Sequence, residues 1–396
     1  MLKNKTVVLG VTGSIAAYKI ANLASMLVKQ HCDVHVIMTQ NATHFINPIT
    51  FETLTNNKCL VETFDRNFQF HVAHVSLAQK ADVMLIAPAS ANIIGKLAHG
   101  IADDMLSTTA LACTAPILVS PAMNTRMYEN PIVQDNLETL KKYGMTVIDP
   151  AVGMLACRDV GAGKMPGEEL LMEYILKTIA CPKDLFGKKI LVTAGSTRES
   201  VDPVRFIGNR STGKMGYALA KRAMLRGAEV TLVTGTTALP KPPFVDVVEI
   251  ESAQEMYDAV TERFPEQDIV IKAAAVADYR PSQVSEEKIK KKEGDMSISL
   301  ERTQDILSYL GHHKKEGQFI CGFSMETQNM IENSKLKLEK KNADMLVANN
   351  LKDSGAGFGT DTNIVTLITK EEVTELPIMS KEEVADAILD KISSVQ

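Results

Sequence analysis

Tryptophan is absent from this chain of 396 residues, cysteine occurs six times, and aromatic residues make up only 5% of it. The cysteines, Cys32, Cys59, Cys113, Cys157, Cys181 and Cys321, form no C-x-x-C pair. That spacing signals neither a zinc site nor a disulfide framework, and a reducing cytoplasm is expected. Long apolar runs are missing as well, so no membrane span is expected. The N-terminus, from Met1 through Thr6-Val7-Val8-Leu9, lacks the apolar core and small-residue cleavage site of a signal peptide and reads straight into a strand. Basic charge is not in excess. A net charge of −5 argues against a nucleic-acid binder. What is present, 45% hydrophobic and 23% charged residues, is ordinary for a soluble globular chain long enough for two domains.

Short apolar runs alternate with helical stretches. The strand candidates of the first half are 6–11, 33–38, 82–87, 116–120 and 145–148. Runs apolar on both faces with helices between them indicate a doubly wound parallel sheet. The pattern then restarts, with strand candidates at 188–193, 229–234, 246–250, 268–275, 319–323, 345–348 and 364–368, and a last helix at 381–392. Both halves open on a strand that runs into Gly-Ser, at Gly13-Ser14 and Gly195-Ser196. The fold class is therefore α/β, two tandem Rossmann-like three-layer domains, the second with a mostly parallel sheet. Their boundary is expected near Cys181–Gly187, giving domains 1–181 and 182–396. Residues 281–296, polar and charged, read as locally disordered.

In the first half, Gly10-Val11-Thr12-Gly13-Ser14 lies between a strand and a helix starting near Ile15, where backbone N–H groups and the Ser14 hydroxyl suit a phosphate. The spacing is not G-x-G-x-x-G, which favours a mononucleotide over a dinucleotide. Pro88-Ala89-Ser90-Ala91-Asn92 follows an apolar strand, at the edge where open α/β sheets bind ligands. Small residues in 92–109, among them Gly95 and Gly100, either admit a flat ring or serve helix–helix contact. The Asn124 amide, at a strand tip, can donate to a carboxylate without bringing a charge. Residues 153–165 form a glycine-punctuated, lid-like loop holding Cys157, either an inert buried thiol or a reactive one. His71 and His74 stand three apart with no third ligand nearby, a poor match to zinc ligand sets.

The motifs G-V-T-G-S-I-A-A-Y at 10–18, His74 in H-V-S-L, P-A-S-A-N at 88–92, P-A-M-N-x-x-M at 121–127 and A-C-x-x-x-G-x-G-x-M at 156–165 resemble phosphopantothenoylcysteine decarboxylase, of the homo-oligomeric flavin-containing cysteine decarboxylases. The resemblance covers residues 1–181. It implies FMN held by Gly13, Ser14, Ile15, Thr39, Ser90, Asn92 and Ser107, with His74 and Asn124 at the substrate and Cys157 as proton donor. Tyr128 and Arg158 stand where the family often has Trp and Gly. The chemistry accounts for these residue types. A carboxylate next to a saturated carbon loses CO₂ only if the electrons left behind have a sink. Oxidation of a neighbouring CH₂–SH carbon creates one, so the protein must add a base, a carboxylate binder and an acid.

In the second half, Asp202-Pro203-Val204-Arg205-Phe206-Ile207-Gly208-Asn209-Arg210-Ser211-Thr212-Gly213-Lys214-Met215-Gly216 is the densest motif. It imitates a P-loop over 208–215 but puts Met215 where Mg²⁺ needs a hydroxyl, and no strand is expected to lead into Gly208. A helix N-terminus capped by Ser211 or Thr212 is the better reading, with Gly213 and Gly216 letting a phosphate or the sheet approach. Ala273-Ala274-Ala275-Val276-Ala277-Asp278-Tyr279 ends a buried strand. Lys288-Ile289-Lys290-Lys291-Lys292 is either a solvated charge run or a clamp on phosphates. Lys337 and Lys341 share a helix face.

These motifs, with G-F-S-M-E-T at 322–327, resemble the bacterial CTP-using phosphopantothenate–cysteine ligase over residues 188 to about 392. The resemblance implies that Asn209 helps form an acyl-cytidylate and that Ala273, Ala274, Asp278, Lys288, Ile306, Leu307, Phe323, Lys337 and Lys341 hold CTP. Lys288 stabilises phosphate charge and Asp278 is a candidate Mg²⁺ ligand. Thr303-Gln304-Asp305-Ile306 replaces the usual N-P-D-I. The function expected is coenzyme A biosynthesis: cysteine is joined to 4′-phosphopantothenate, and the product is decarboxylated to 4′-phosphopantetheine. A homo-oligomer is implied, trimers of decarboxylase halves within a dodecamer and paired ligase halves, without nucleic acid or membrane. An NAD(P) oxidoreductase would need the missing glycine pattern. A non-catalytic, decarboxylase-like regulator is the remaining alternative, opposed by Cys157 and by the ligase half.

Overall fold

The structure, a computed structural model, describes residues 2–64, 73–154, 160–291, 296–326, 329–350 and 359–395. His71, Cys157, Arg158 and Lys292 lie outside the described residues. The chain forms two compact units, Met1–Pro182 and Lys183–Gln396.

The elements of the first unit are β1 (Thr6–Val11), α1 (Ala17–Lys29), β2 (Asp33–Met38), α2 (Pro48–Thr55), α3 (Ala73–Lys80), β3 (Val83–Ala89), α4 (Ala91–His99), α5 (Met105–Ala112), β4 (Ile117–Pro121), α6 (Thr125–Tyr128), α7 (Pro131–Lys142), β5 (Thr146–Val147), β6 (Ala151–Met154), β7 (Val160–Lys164) and α8 (Glu168–Ile179). The main sheet runs β2-β1-β3-β4-β5 and is wholly parallel. Every residue of β1, β3 and β4 is buried, as strands covered by helices on both faces must be. The strand order reverses between β1 and β3, which opens a crevice beyond their carboxyl ends. A Cβ on Gly95 would meet Asn136 of α7 at an ordinary 3.7 Å and one on Gly100 nothing within 4 Å, so neither glycine is forced by close helix packing.

The second unit contains β8 (Lys189–Ala194), β9 (Arg198–Ser200), β10 (Phe206–Gly208), α9 (Lys214–Leu225), β11 (Glu229–Thr234), β12 (Asp246–Glu249), α10 (Ala253–Arg263), β13 (Ile269–Lys272), β14 (Tyr279–Pro281), β15 (Leu300–Arg302), α11 (Ile306–His313), β16 (Phe319–Glu326), α12 (Met330–Lys340), β17 (Met345–Asn350), β18 (Thr362–Asn363), β19 (Thr366–Thr369), β20 (Val373–Glu375), β21 (Met379–Ser380) and α13 (Lys381–Val395). Its sheet runs β12-β11-β8-β13-β16-β17-β19-β20, parallel through β17 and antiparallel at β19 and β20. The switch point here lies between β8 and β13.

Three antiparallel ribbons depart from the sequence reading. Residues expected as a loop supply β6 and β7, which pair across Gly153 and Gly161. A strand does end at Gly208, contrary to expectation, but β10 is three exposed residues hairpinned to β9 rather than a buried strand feeding a phosphate loop. Strand β14 pairs with β15 on either side of the run expected to be disordered. Within that run the Ser285 N–H donates to the Val201 carbonyl at 3.1 Å. Strands of three to five residues are too short for hydrophobic period to reveal.

The close approach of α9 to β8 depends on Gly216. A Cβ there would sit 2.5 Å from Ala194 Cβ and 2.8 Å from the Thr193 carbonyl oxygen. Gly216→Ala is expected to destabilise the second unit by about 1–3 kcal/mol, through overpacking that backbone cannot yield to. Chemical denaturation checks it; an unchanged midpoint would refute the contact.

Candidate active sites

Most helices satisfy their first N–H groups with a side chain. Asn47, Ser90, Asp104, Asn124, Asn130, Ser252 and Asp305 each cap one. Helices α8 and α12 lack a cap but carry acids in the first turn. Among the α-helices whose N-caps are described, only α1 and α9 have neither. Their N–H groups and positive dipole ends are left without a protein anion. Helix α1 directly follows the first strand of its unit, and α9 follows β8 after the β9–β10 hairpin; both start at the switch point.

In the first unit, Ser14, Ile15, Tyr18, Lys19, Met123, Asn124, Met154 and Lys164 line a cavity of about 380 Å³ at the start of α1. Its lining includes two lysines and no acid, so it suits an anion. Thr12 fixes the crevice: its hydroxyl donates to the Pro88 carbonyl at 2.6 Å and accepts the Ser90 N–H at 3.0 Å. Gly13 lies so near Asn41 that a Cβ would meet Asn41 Cβ at 2.8 Å. Thr39, just past β2, has a buried hydroxyl with no hydrogen-bond partner. Asn124 Oδ1 accepts the Arg126 N–H at 2.8 Å and so caps α6.

In the second unit, a cavity of about 330 Å³ lies between α9, β13 and β16. Lys214, Lys272, Lys337 and Lys381 line it against a single acid, Asp278, a cationic cleft on a chain of net charge −5. Two threonines shape its floor: Thr193 Oγ1 accepts the Ala274 N–H at 3.1 Å, and Thr197 Oγ1 the Ala277 N–H at 3.0 Å. Asn209 is held across the crevice. Its N–H donates to Ser196 Oγ at 3.2 Å and its Nδ2 to the Ala275 carbonyl at 3.2 Å. Lys214 Nζ sits 2.6 Å from Asp361.

The residues singled out from sequence are only partly brought together. Ser14, Ile15 and Asn124 share the first cavity. Ser90 caps α4, and Asn92 lies in its first turn. Ser107 closes the Asp104 capping box and lines a different cavity, of about 450 Å³. His74 is half-buried in the first turn of α3. Asn209, Ala273, Ala274, Asp278, Phe323 and Lys337 share the second cavity. Lys288 is exposed outside its lining, and Lys341 pairs with Asp305 instead. Ile306 and Leu307 point into the hydrophobic core. Neither Ser211 nor Thr212 caps α9; Gly213, in the left-handed region at φ 80°, takes the cap position with no side-chain bond. Helix α1 starts at Ala17 rather than Ile15. Burial pushes the thiols of Cys32 and Cys59 up to about 12 and raises those of Cys113 and Cys321, so none of the four is poised near neutral pH.

Two family profiles cover the chain: Flavoprotein over residues 1–180, and DNA/pantothenate metabolism flavoprotein C-terminal domain over residues 185–395. A coenzyme A biosynthesis bifunctional protein CoaBC from Bacillus subtilis (strain 168) is 46% identical over 100% of this chain and 98% of its own length. The chain belongs to the CoaBC family. The CoaBC of Borreliella burgdorferi is 42% identical over 98% of this chain and 99% of that one. A cysteine/cysteine sulfinic acid decarboxylase from an unknown prokaryotic organism is 45% identical over 88% of this chain and 98% of its own. The crystal structure of the C-terminal domain of a CoaBC aligns with 54% of this chain and 97% of its own, at 48% identity and a TM-score of 0.47.

Lys272 was missed from sequence, although it is the one charge in the buried run Ile269-Val270-Ile271-Lys272-Ala273-Ala274 and so could have been found. Its ammonium lines the cleft without a hydrogen bond or ion pair among the described residues. Burial, then the nearby Lys337, pushes it down to about 8. The unfolded chain, with an ordinary lysine pKa, therefore binds more protons between about pH 8 and 10, and stability rises with pH across that window. Below pH 8 the folded state bears the whole penalty. Lys272→Met should stabilise the second unit at pH 7 by up to about 3 kcal/mol, the difference closing toward pH 10. Urea titrations at both pH values test this; a variant less stable at pH 7 contradicts it.

Proposed function

We propose that residues 182–396 join cysteine to 4′-phosphopantothenate at the expense of CTP, and that residues 1–181 then decarboxylate the product to 4′-phosphopantetheine with FMN. The chain is a bifunctional enzyme of coenzyme A biosynthesis with ligase and decarboxylase activities. One observation carries the division of labour. Among the α-helices whose N-caps are described, each unit has one with neither a side-chain cap nor a first-turn acid, and it opens on a cavity lined by lysines.

For ligation, a carboxylate oxygen attacks the α-phosphorus of CTP and pyrophosphate leaves. The cysteine amine then attacks the acyl carbon and CMP leaves. In this reading Asn209 orients the acyl carboxylate, and Lys214, Lys272 and Lys337 neutralise phosphate charge. Lys288 reaches the triphosphate from the loop beside the cleft, and Ala273, Ala274, Phe323 and the first turn of α11 border the nucleoside. The described residues contain no cluster of three metal-ligating side chains. The donor set thus fits Mg²⁺ carried by the triphosphate and touched by Asp278, not a protein cage. When bound, Mg²⁺ supplies charge neutralisation on the phosphates.

For decarboxylation, the orphaned Thr39 hydroxyl, the Ser14 hydroxyl and the open α1 terminus fit the polar tail of FMN, and Ile15, Tyr18 and Met154 offer an apolar wall for a ring. When bound, FMN supplies a reversible two-electron acceptor for the substrate's sulfur-bearing carbon. His74 takes the thiol proton, Asn124 donates to the carboxylate that will leave, and Cys157 returns a proton to the carbon it left. A cytoplasmic homo-oligomer, a dodecamer of trimers with paired ligase halves, belongs to the same proposal. Exposed apolar residues beside the first cavity support association. No helix among the described residues is long and apolar enough to cross a membrane.

The relative that decarboxylates cysteine or cysteine sulfinic acid favours a second reading, in which free cysteine is the decarboxylation substrate. Purified protein offered 4′-phosphopantothenate, cysteine and CTP should yield CMP and 4′-phosphopantetheine. CO₂ released from cysteine alone at the same rate would favour the second reading. Asn209→Ala should abolish amide formation, with no acyl-cytidylate detected; unchanged turnover removes its role. Cys157→Ser should stop release of decarboxylated product and leave ligation at the wild-type rate.

A further inference from the structure

Asp202 stands at the tip of the β9–β10 hairpin, yet it is only 2% exposed. Its two carboxylate oxygens do different work. Oδ1 accepts the N–H groups of Val204 and Arg205, each at 2.9 Å, which closes the turn. Oδ2 accepts Arg205 Nε at 3.0 Å and also the N–H of Ile289 at 3.1 Å, from a segment 87 residues away. Arg205 Nη2 donates onward to the Ile289 carbonyl at 2.8 Å, and Ser285 N–H donates to the Val201 carbonyl at 3.1 Å. The segment 285–289 is thus joined to the turn at three points, and Lys288 sits between the joints. The guanidinium beside Asp202 holds its carboxyl well below the usual carboxylate range, so the charge on Oδ2 persists at any working pH.

The hairpin does not need Oδ2 to exist. Strands β9 and β10 pair over three residue pairs, and the Val201 N–H donates to the Arg205 carbonyl at 2.9 Å. What Oδ2 adds is the reach to the second segment. The far arm of the same hairpin runs directly into Asn209, so one buried carboxylate connects the strand that ends at Asn209 with the loop that carries Lys288.

We propose that Asp202 is a positioning residue for ligation: with Arg205 it latches the Lys288 segment to the hairpin leading into Asn209, and so sets where the Lys288 ammonium can reach. This rests on the roles given above to Lys288 and Asn209. A solvated lysine on an untied loop explores many positions, and ordering it at each turnover costs side-chain and backbone entropy. The latch removes the backbone part of that cost before substrate arrives.

The test compares Asp202→Asn, Lys288→Gln and the double variant in the full-length enzyme. Asparagine keeps an acceptor for the turn N–H groups but replaces the anionic Oδ2 by a donor facing three other donors, Arg205 Nε and Nη2 and the Ile289 N–H. Asp202→Asn should lower ligation kcat at least tenfold with KM for CTP within twofold of wild type. The double variant should be no slower than Lys288→Gln alone, because the latch acts through that lysine. Arg205→Lys, which keeps the charge and loses the planar fork on a half-exposed side chain, should show a smaller kcat loss of the same pattern if Asp202→Asn fails to fold. Trypsin should cut after Lys288 and Lys290 at least fivefold faster in either single latch variant. Lys288→Gln at full turnover would remove the role of Lys288 and the latch with it. A slow Lys288→Gln beside a wild-type Asp202→Asn, losses that multiply in the double variant, or unchanged trypsin cleavage would overturn the latch alone.

Discussion

Both units are organised around a helix N-terminus that has neither a side-chain cap nor a first-turn acid. A helix presents four N–H groups with no internal partner, and in the other α-helices whose N-caps are described side-chain caps or first-turn acids help meet that need. Helices α1 and α9 forgo both. Their ends face crevices where the sheet order reverses, so the missing partner has room to be a ligand. The surroundings follow from this. Glycines sit where backbone must come close, lysines line the cavities, and acids are nearly absent from the walls. In the proposed function a phosphate-bearing substrate or cofactor completes each arrangement.

The two units reach this state by one device. A threonine on or just past the first strand reaches across and fixes the exit of the neighbouring strand: Thr12 at Pro88 and Ser90, Thr193 and Thr197 at Ala274 and Ala277. These hydroxyls are buried, so each bond counts for more than it would in water. They hold the carboxyl ends of the central strands rigid while the loops beyond stay exposed. The second cleft is the more strongly cationic, with four lysines against one acid. Asp361 compensates Lys214, while Lys272 keeps the penalty that burial and Lys337 impose on its charge.

How much of this was legible depends on the length of the signal. Strands β1, β2 and β11 were read to the residue, since six apolar or β-branched residues bounded by turns carry a strong pattern. The ribbons β6–β7, β9–β10 and β14–β15 were not, because three to five residues hold too little periodicity. Motif residues such as Ser14, Asn124, Asn209 and Asp278 do line cavities. Ser107 and Lys341 do not: Ser107 is taken up by a capping box, and Lys341 by Asp305. Lys272 went unremarked because one charge within an apolar strand has no motif around it.

By itself the sequence determined two α/β halves, each opening with a strand and a glycine turn, and the residue types that phosphate chemistry requires. Those follow from local pattern and from composition, which the chain carries at every position. The tertiary structure alone decided which helix ends go uncapped, which lysines converge, and that Asp202 touches Ile289 across 87 residues. Such contacts join segments with no common period or spacing, and their partners are chosen by the topology of the sheet.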